Sequence, residues 1–115
     1  MAVSVLAEYL KDVAKKQKTV FYDDVAALLK LNLKNPDDRQ TLTSYLNEIS
    51  TEEDTNNRPL LSAIVVNKKG VNQGFPGKEF GNLGRELGYC HEDGELDDMA
   101  FAVEQINAVF AHWKE

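Results

Sequence analysis

The chain has 115 residues, 43% of them hydrophobic and 28% charged, with a formal net charge of −6. This length predicts a single domain over residues 1–115 around one core, and no apolar run approaches the ~20 residues of a membrane helix. A lone cysteine, Cys90, excludes an internal disulfide, and the opening MAVSVLAEYLKD lacks a basic start and a cleavage site, so a cytoplasmic location is expected.

From Ser4 to about Lys15, Leu6, Leu10 and Val13 recur at helical spacing, with Tyr9 flanking, and Lys15, Lys16 and Lys18 suit a helix carboxyl end. Thr19–Phe21 is a short β-prone step. Asp23 and Asp24 then open a second helix carrying Val25, Leu28 and Leu29. After a loop over Asn32–Asn35 comes the clearest helix start. Asn35 is a natural N-cap, Pro36 fits the first helical position, and Asp37 and Asp38 complement the helix dipole. Leu42, Tyr45, Leu46 and Ile49 form the apolar stripe of this third helix, and the polar run Ser50–Pro59 is expected to be a loop.

Leu60–Val66 has the length and β-branched content of a strand buried on both faces. Asn67–Gly70 is turn chemistry, and Val71–Phe75 is expected to return as a second short strand. Pro76 opens a helix with Phe80, Leu83 and Leu87 inward and Gly88 as its stop. The last helix, from about Asp93 to Trp113, carries an inward stripe of Met99, Ala102, Val103, Ile106, Val109, Phe110 and Trp113. The expected fold class is α+β and mainly helical: a winged-helix-like three-helix portion, a small β-hairpin and two C-terminal helices.

The excess negative charge is confined to the end of the chain. Residues 1–91 balance, whereas residues 92–115 set Lys114 against seven acids. Glu95, Asp97, Asp98 and Glu104 are therefore candidates for an acidic surface docking a basic protein partner. A different set follows from the winged-helix pattern. Its recognition helix, Pro36–Ile49, turns Arg39, Gln40, Thr43, Ser44 and Asn47 outward, and Lys68 and Lys69 sit at the wing tip. Arg39, Gln40, Thr43, Asn47, Lys68 and Lys69 are the candidate nucleic-acid contacts. Against them stand Asp37 and Asp38 at the helix start, where a phosphate backbone would have to approach.

Catalytic and cofactor patterns are missing. Gly77-Lys78 has Asn72 where a phosphate loop needs glycine and Glu79 where it needs Ser or Thr. Cys90, His91, Glu92 and Asp93 are consecutive rather than spaced to converge on a metal, and His112 is distant in sequence. No enzyme, metal or cofactor is expected. Gly81 and Gly84 each cost about 1 kcal/mol relative to alanine inside a helix, which predicts close backbone approach against the Leu60–Val66 strand. A bare-backbone groove near Gly74–Gly77, open to a peptide or small ligand, is a further expectation.

RPLLSAIVVNKKG, then GFPGKEFGNLGRELG, then a terminal FAHWKE resemble a pattern in small uncharacterised bacterial proteins, in which a winged-helix-like portion precedes an apolar strand and a Pro-Gly corner. The resemblance implies a cytosolic accessory protein, no known reaction and no functional residues. The leading expectation is a non-enzymatic protein-binding module, in its sharpest form an immunity- or antitoxin-type inhibitor; the alternative is a winged-helix transcriptional regulator.

Overall fold

A computed structural model describes residues 2–70, 73–89 and 96–114. Among the described residues, five helices and a two-stranded parallel sheet make the fold mainly helical, α+β. In chain order these are α1 (Ala2–Lys15), β1 (Val20–Phe21), α2 (Tyr22–Leu29), α3 (Pro36–Thr55), a 3-10 helix (Leu61–Ile64), β2 (Val65–Val66), α4 (Lys78–Glu86) and α5 (Asp98–Trp113). Among the described residues no helix is long and apolar enough to cross a membrane.

The main core forms where Leu6, Leu10 and Ala14 of α1 meet Val25 of α2, Leu42, Leu46 and Ile49 of α3, Leu61, Ile64 and Val65, and Val109 of α5. A second cluster, Leu60, Ala63, Phe80, Leu96 and Phe101, joins α4 to α5. The helix starts follow local chemistry. Asn35 Oδ1 accepts the backbone N–H of Asp37 at 2.8 Å and of Asp38 at 3.4 Å, with Pro36 in the first turn. The ends follow a single rule. Past α1, α2, α3 and α4 the chain turns through Gln17, Lys30, Asn57 and Gly88, all at positive φ. In each case paired N–H groups then cap the last carbonyls, as in Gly88 N–H to Arg85 O at 3.1 Å and Tyr89 N–H to Gly84 O at 3.0 Å.

Four expectations need correction. First, α3 runs to Thr55, so most of the polar stretch after Ile49 is helical. Its inward face continues as Ser50 and Glu53, both buried. Ser50 and Ser62 share a hydrogen bond of 2.6 Å, and Glu53 pairs with Arg58.

Second, Leu60–Val66 is buried but only Val65–Val66 is strand. Ser50 Oγ accepts the Ser62 N–H at 3.0 Å, and Gln105 Oε1 accepts that of Leu60 at 2.9 Å, so side chains satisfy donors that a sheet would otherwise pair. The sheet is parallel, Val20 opposite Val65 and Phe21 opposite Val66.

Third, the expected hairpin return is a tight loop over its described residues; Val71 and Asn72 lie outside them. Gly74, at φ 81°, donates to Asn67 O at 2.9 Å, and Asn67 donates to Phe75 O at 2.9 Å. That is the pattern of a glycine bulge, which bends the chain away before a ladder extends.

Fourth, α5 begins at Asp98 and faces the core differently. Phe101, Ala102 and Val109 are buried, while Met99 and Val103 are 43% and 40% exposed.

Candidate binding cleft

A cavity of about 560 Å³ opens between the start of α2, the amino-terminal half of α3 and the turn after β2. Its formation follows from the parallel pairing. Placing Val66 beside Phe21 puts the next residues, Asn67, Lys68 and Lys69, opposite Tyr22 and Asp23 at the start of α2. The Asn35 cap fixes where α3 begins, and so presents Arg39, Gln40 and Thr43, which share one face at i, i+1 and i+4. Gly77 and Glu79, from the corner into α4, close the remaining side.

The cleft is polar and of mixed sign, with Arg39, Lys68 and Lys69 set against Asp23 and Glu79. Arg39 Nη1 donates to Leu33 O at 3.2 Å, which leaves most of its guanidinium donors for other acceptors. The Lys68 ammonium lies 5.9 Å from the centroid of the Phe21 ring, within cation–π range. Among the described residues the Lys69 ammonium, the Gln40 amide and the Thr43 hydroxyl are bonded to nothing.

Tyr22 reaches the inner end of the cleft. Its hydroxyl accepts the Gly77 N–H at 2.8 Å. Its own proton has no acceptor among the described residues, so it remains available as a donor. Burial pushes the phenol pKa up; the Gly77 N–H works against that rise and the Glu79 carboxylate adds to it. Tyr22 is therefore a neutral hydrogen-bond donor at physiological pH. Tyr22, Thr43 and Glu79 also line a small adjoining pocket of about 30 Å³ with Leu46, Asn47, Ser62 and Phe80.

The residues proposed from sequence for nucleic acid are thus brought together, except that Asn47 lies in the adjoining pocket. Asp38, expected only to complement the dipole of α3, accepts the Asn32 N–H at 2.8 Å and so also fixes the preceding loop. Of the Gly74–Gly77 groove, Gly77 belongs to this cleft. Sequence reasoning missed Tyr22, Asp23 as a lining residue, Asn67 and Glu79.

The acidic set is arranged otherwise. Asp97 caps α5, its Oδ1 accepting the Ala100 N–H at 3.0 Å. Asp98 Oδ1 accepts from Arg85 Nη2 at 2.6 Å, and the same nitrogen donates to Leu96 O at 2.9 Å. Glu104 is exposed about two turns further along α5. Glu95 lies outside the described residues, as do Cys90, His91, Glu92 and Asp93. Among the described residues no three His, Cys, Asp or Glu side chains are grouped to hold a metal ion.

A further cavity, about 360 Å³, lies between the end of α3 and α5. Several of its polar side chains are engaged with one another or with the backbone. Tyr89 donates to Asp54 Oδ1 at 2.7 Å, Arg58 pairs with Glu53, and Gln105 holds the Leu60 N–H. These bonds tie Tyr89 to the end of α3, and α5 to the segment after α3.

Comparisons with protein-family models, curated proteins and solved structures found no match for the chain.

Proposed function

We propose that this protein is a non-enzymatic binding module for another protein, and that its working surface is the cleft between α2, α3 and the turn after β2. The observation that carries this reading is the convergence of Arg39, Gln40, Thr43, Lys68 and Lys69 on one cavity that also holds Asp23 and Glu79. A volume of about 560 Å³ falls in the range of pockets that enclose a ligand or an inserted segment. The mixed signs suit a partner offering both hydrogen bonds and charge, as a polypeptide does. The acidic start of α5 is the weaker candidate, because Asp97 and Asp98 are engaged in capping and in the Arg85 pair. An immunity- or antitoxin-type role is compatible with either surface, since both serve by occupying a partner.

A second reading, DNA binding, is favoured by the same convergence, since Arg and Gln are base-reading side chains. It is disfavoured by charge. Phosphate recognition scales with the number of cations supplied, and three cations here face Asp23 and Glu79 in the cleft and Asp37 and Asp38 at the start of α3.

Affinity capture from host extract, run beside the Arg39→Ala/Lys68→Ala/Lys69→Ala variant, separates these readings. A protein retained by the wild type and lost by the variant, with unfolding temperature unchanged, is the expected result. Equal retention by both would remove the cleft from the account, and a mobility shift on duplex DNA abolished by the same variant would replace protein with DNA.

A further inference from the structure

We infer that the cleft receives an extended peptide segment of its partner that carries one carboxylate side chain, an inference that rests on the protein-binding reading above. Charge sets the number of anions. Among the residues that line the cleft, Arg39, Lys68 and Lys69 against Asp23 and Glu79 leave a surplus of one positive charge. That suits a single carboxylate and not a run of phosphates, each of which calls for its own cation. Asp37 and Asp38 at the start of α3 weigh further against a polyanion.

Geometry sets the form. The cations come from two separate walls, Arg39 from α3 and the lysines from the turn after β2, so an anion between them is approached from both sides. Arg39 offers the planar fork that pairs with a carboxylate through two parallel bonds. The lysines supply point charges that adjust to it. Gln40, Thr43 and Asn67 line the same space with amide and hydroxyl groups that can bond the main chain of an entering segment. At the inner end the free Tyr22 proton is a donor for a peptide carbonyl, and Glu79 is an acceptor for a peptide N–H. An extended segment with one acidic side chain offers a carboxylate to the cations, carbonyls to the donors and N–H groups to Glu79.

The test is a titration of the isotope-labelled full chain followed by backbone amide shifts. The probes are N-acetyl-Ala-Glu-Ala-amide, its Gln counterpart and single-stranded trithymidylate. Saturable shifts at Gln40, Thr43, Lys68 and Lys69 are expected with the Glu peptide at millimolar concentration. Binding should weaken on the order of tenfold for the Gln peptide, weaken as salt is raised, and be lost in Arg39→Gln but kept in Lys30→Gln. Equal binding of the Glu and Gln peptides would overturn the carboxylate assignment. Tighter binding of trithymidylate than of the Glu peptide would overturn the peptide assignment in favour of nucleic acid. Absence of any peptide response, where the alanine variant above still loses its partner, would overturn the ligand class while sparing the cleft. Absence of both responses would overturn the cleft as well.

Discussion

Helix α4 presents two sides that are built differently. Toward α5 it is closed to the thickness of a ring: a Cβ placed on Gly84 would stand 2.5 Å from Phe101 Cε2 and 3.1 Å from Leu96 Cδ2. Toward α2 and α3 the same element gives Glu79 to the wall of an open cavity of about 560 Å³. Glycines 81 and 84 were expected to admit the Leu60–Val66 segment. They admit α5 instead, and the contact with Leu60 and Ala63 is made by Phe80. The contrast separates residues that hold the fold from residues that remain available to a partner, and substitutions on the two sides should differ accordingly.

The largest effect is expected at the closed side. Phe101 is 2% exposed and lies 5.1 Å, centroid to centroid, from both Phe80 and Tyr89. Phe101→Ala should cost about 3–5 kcal/mol in chemical denaturation. Gly84→Ala comes next. Overpacking costs about 1–3 kcal/mol and improved helix propensity returns about 1 kcal/mol, so a net loss near 1–2 kcal/mol is expected. Gly81→Ala is the internal control. The group in its way is the exposed Asp98 side chain, with Cγ 2.7 Å from the added carbon. That carboxylate can swing aside at the expense of its exposed pair with Arg85, so the change should be close to neutral.

Those glycines also show where sequence reasoning succeeds and where it stops. The start of α3 was legible because it is local: Asn35 and Pro36 act within one turn of their own position. Three of the four left-handed helix ends were hidden because Gln17, Lys30 and Asn57 stand where glycine would have announced them. Helix α3 was cut short at Ile49 because its inward face continues with Ser50 and Glu53, whose partners Ser62 and Arg58 are supplied by tertiary structure. In α5 the apolar residues nearly encircle the helix, so periodicity found Ala102 and Val109 but did not decide between Met99 and Val103, which are exposed, and Phe101, which is buried.

The cleft was half legible. Outward polarity identified Arg39, Gln40, Thr43, Lys68 and Lys69 as candidates. Joining them to Tyr22, Asp23 and Glu79 required the parallel β1–β2 pairing and the corner into α4, which no local pattern encodes.

A smaller effect should appear at high pH, again on the closed side. Burial and the bond to Asp54 push the Tyr89 phenol up from 10.0 to about 12. The folded chain then keeps a proton that the unfolded chain loses, so this contribution to stability is complete below pH 10 and is lost as pH rises toward about 12. Tyr89→Phe should flatten the decline across that window in urea unfolding at stepped pH. The decline should not vanish, because Tyr22 is raised in the same direction. An unchanged slope would mean that the phenol is not held by Asp54 in solution.

The smallest effect on stability belongs to the open side. Arg39, Lys68 and Lys69 are exposed, and their joint replacement by alanine should shift stability by no more than about 0.5 kcal/mol per site while partner binding is lost. A stability loss comparable to that of Phe101→Ala would mean that these residues hold the fold.

The central claim, that the cleft and not the acidic start of α5 meets the partner, is tested most directly by site-specific photocross-linking. A photoreactive residue is placed at Gln40 in the cleft and, in a separate protein, at Glu104 on α5; both are exposed. Irradiation in host cells should yield a discrete protein adduct from position 40 and none from position 104. An adduct from position 104 alone would contradict the account and return the interaction to the acidic surface.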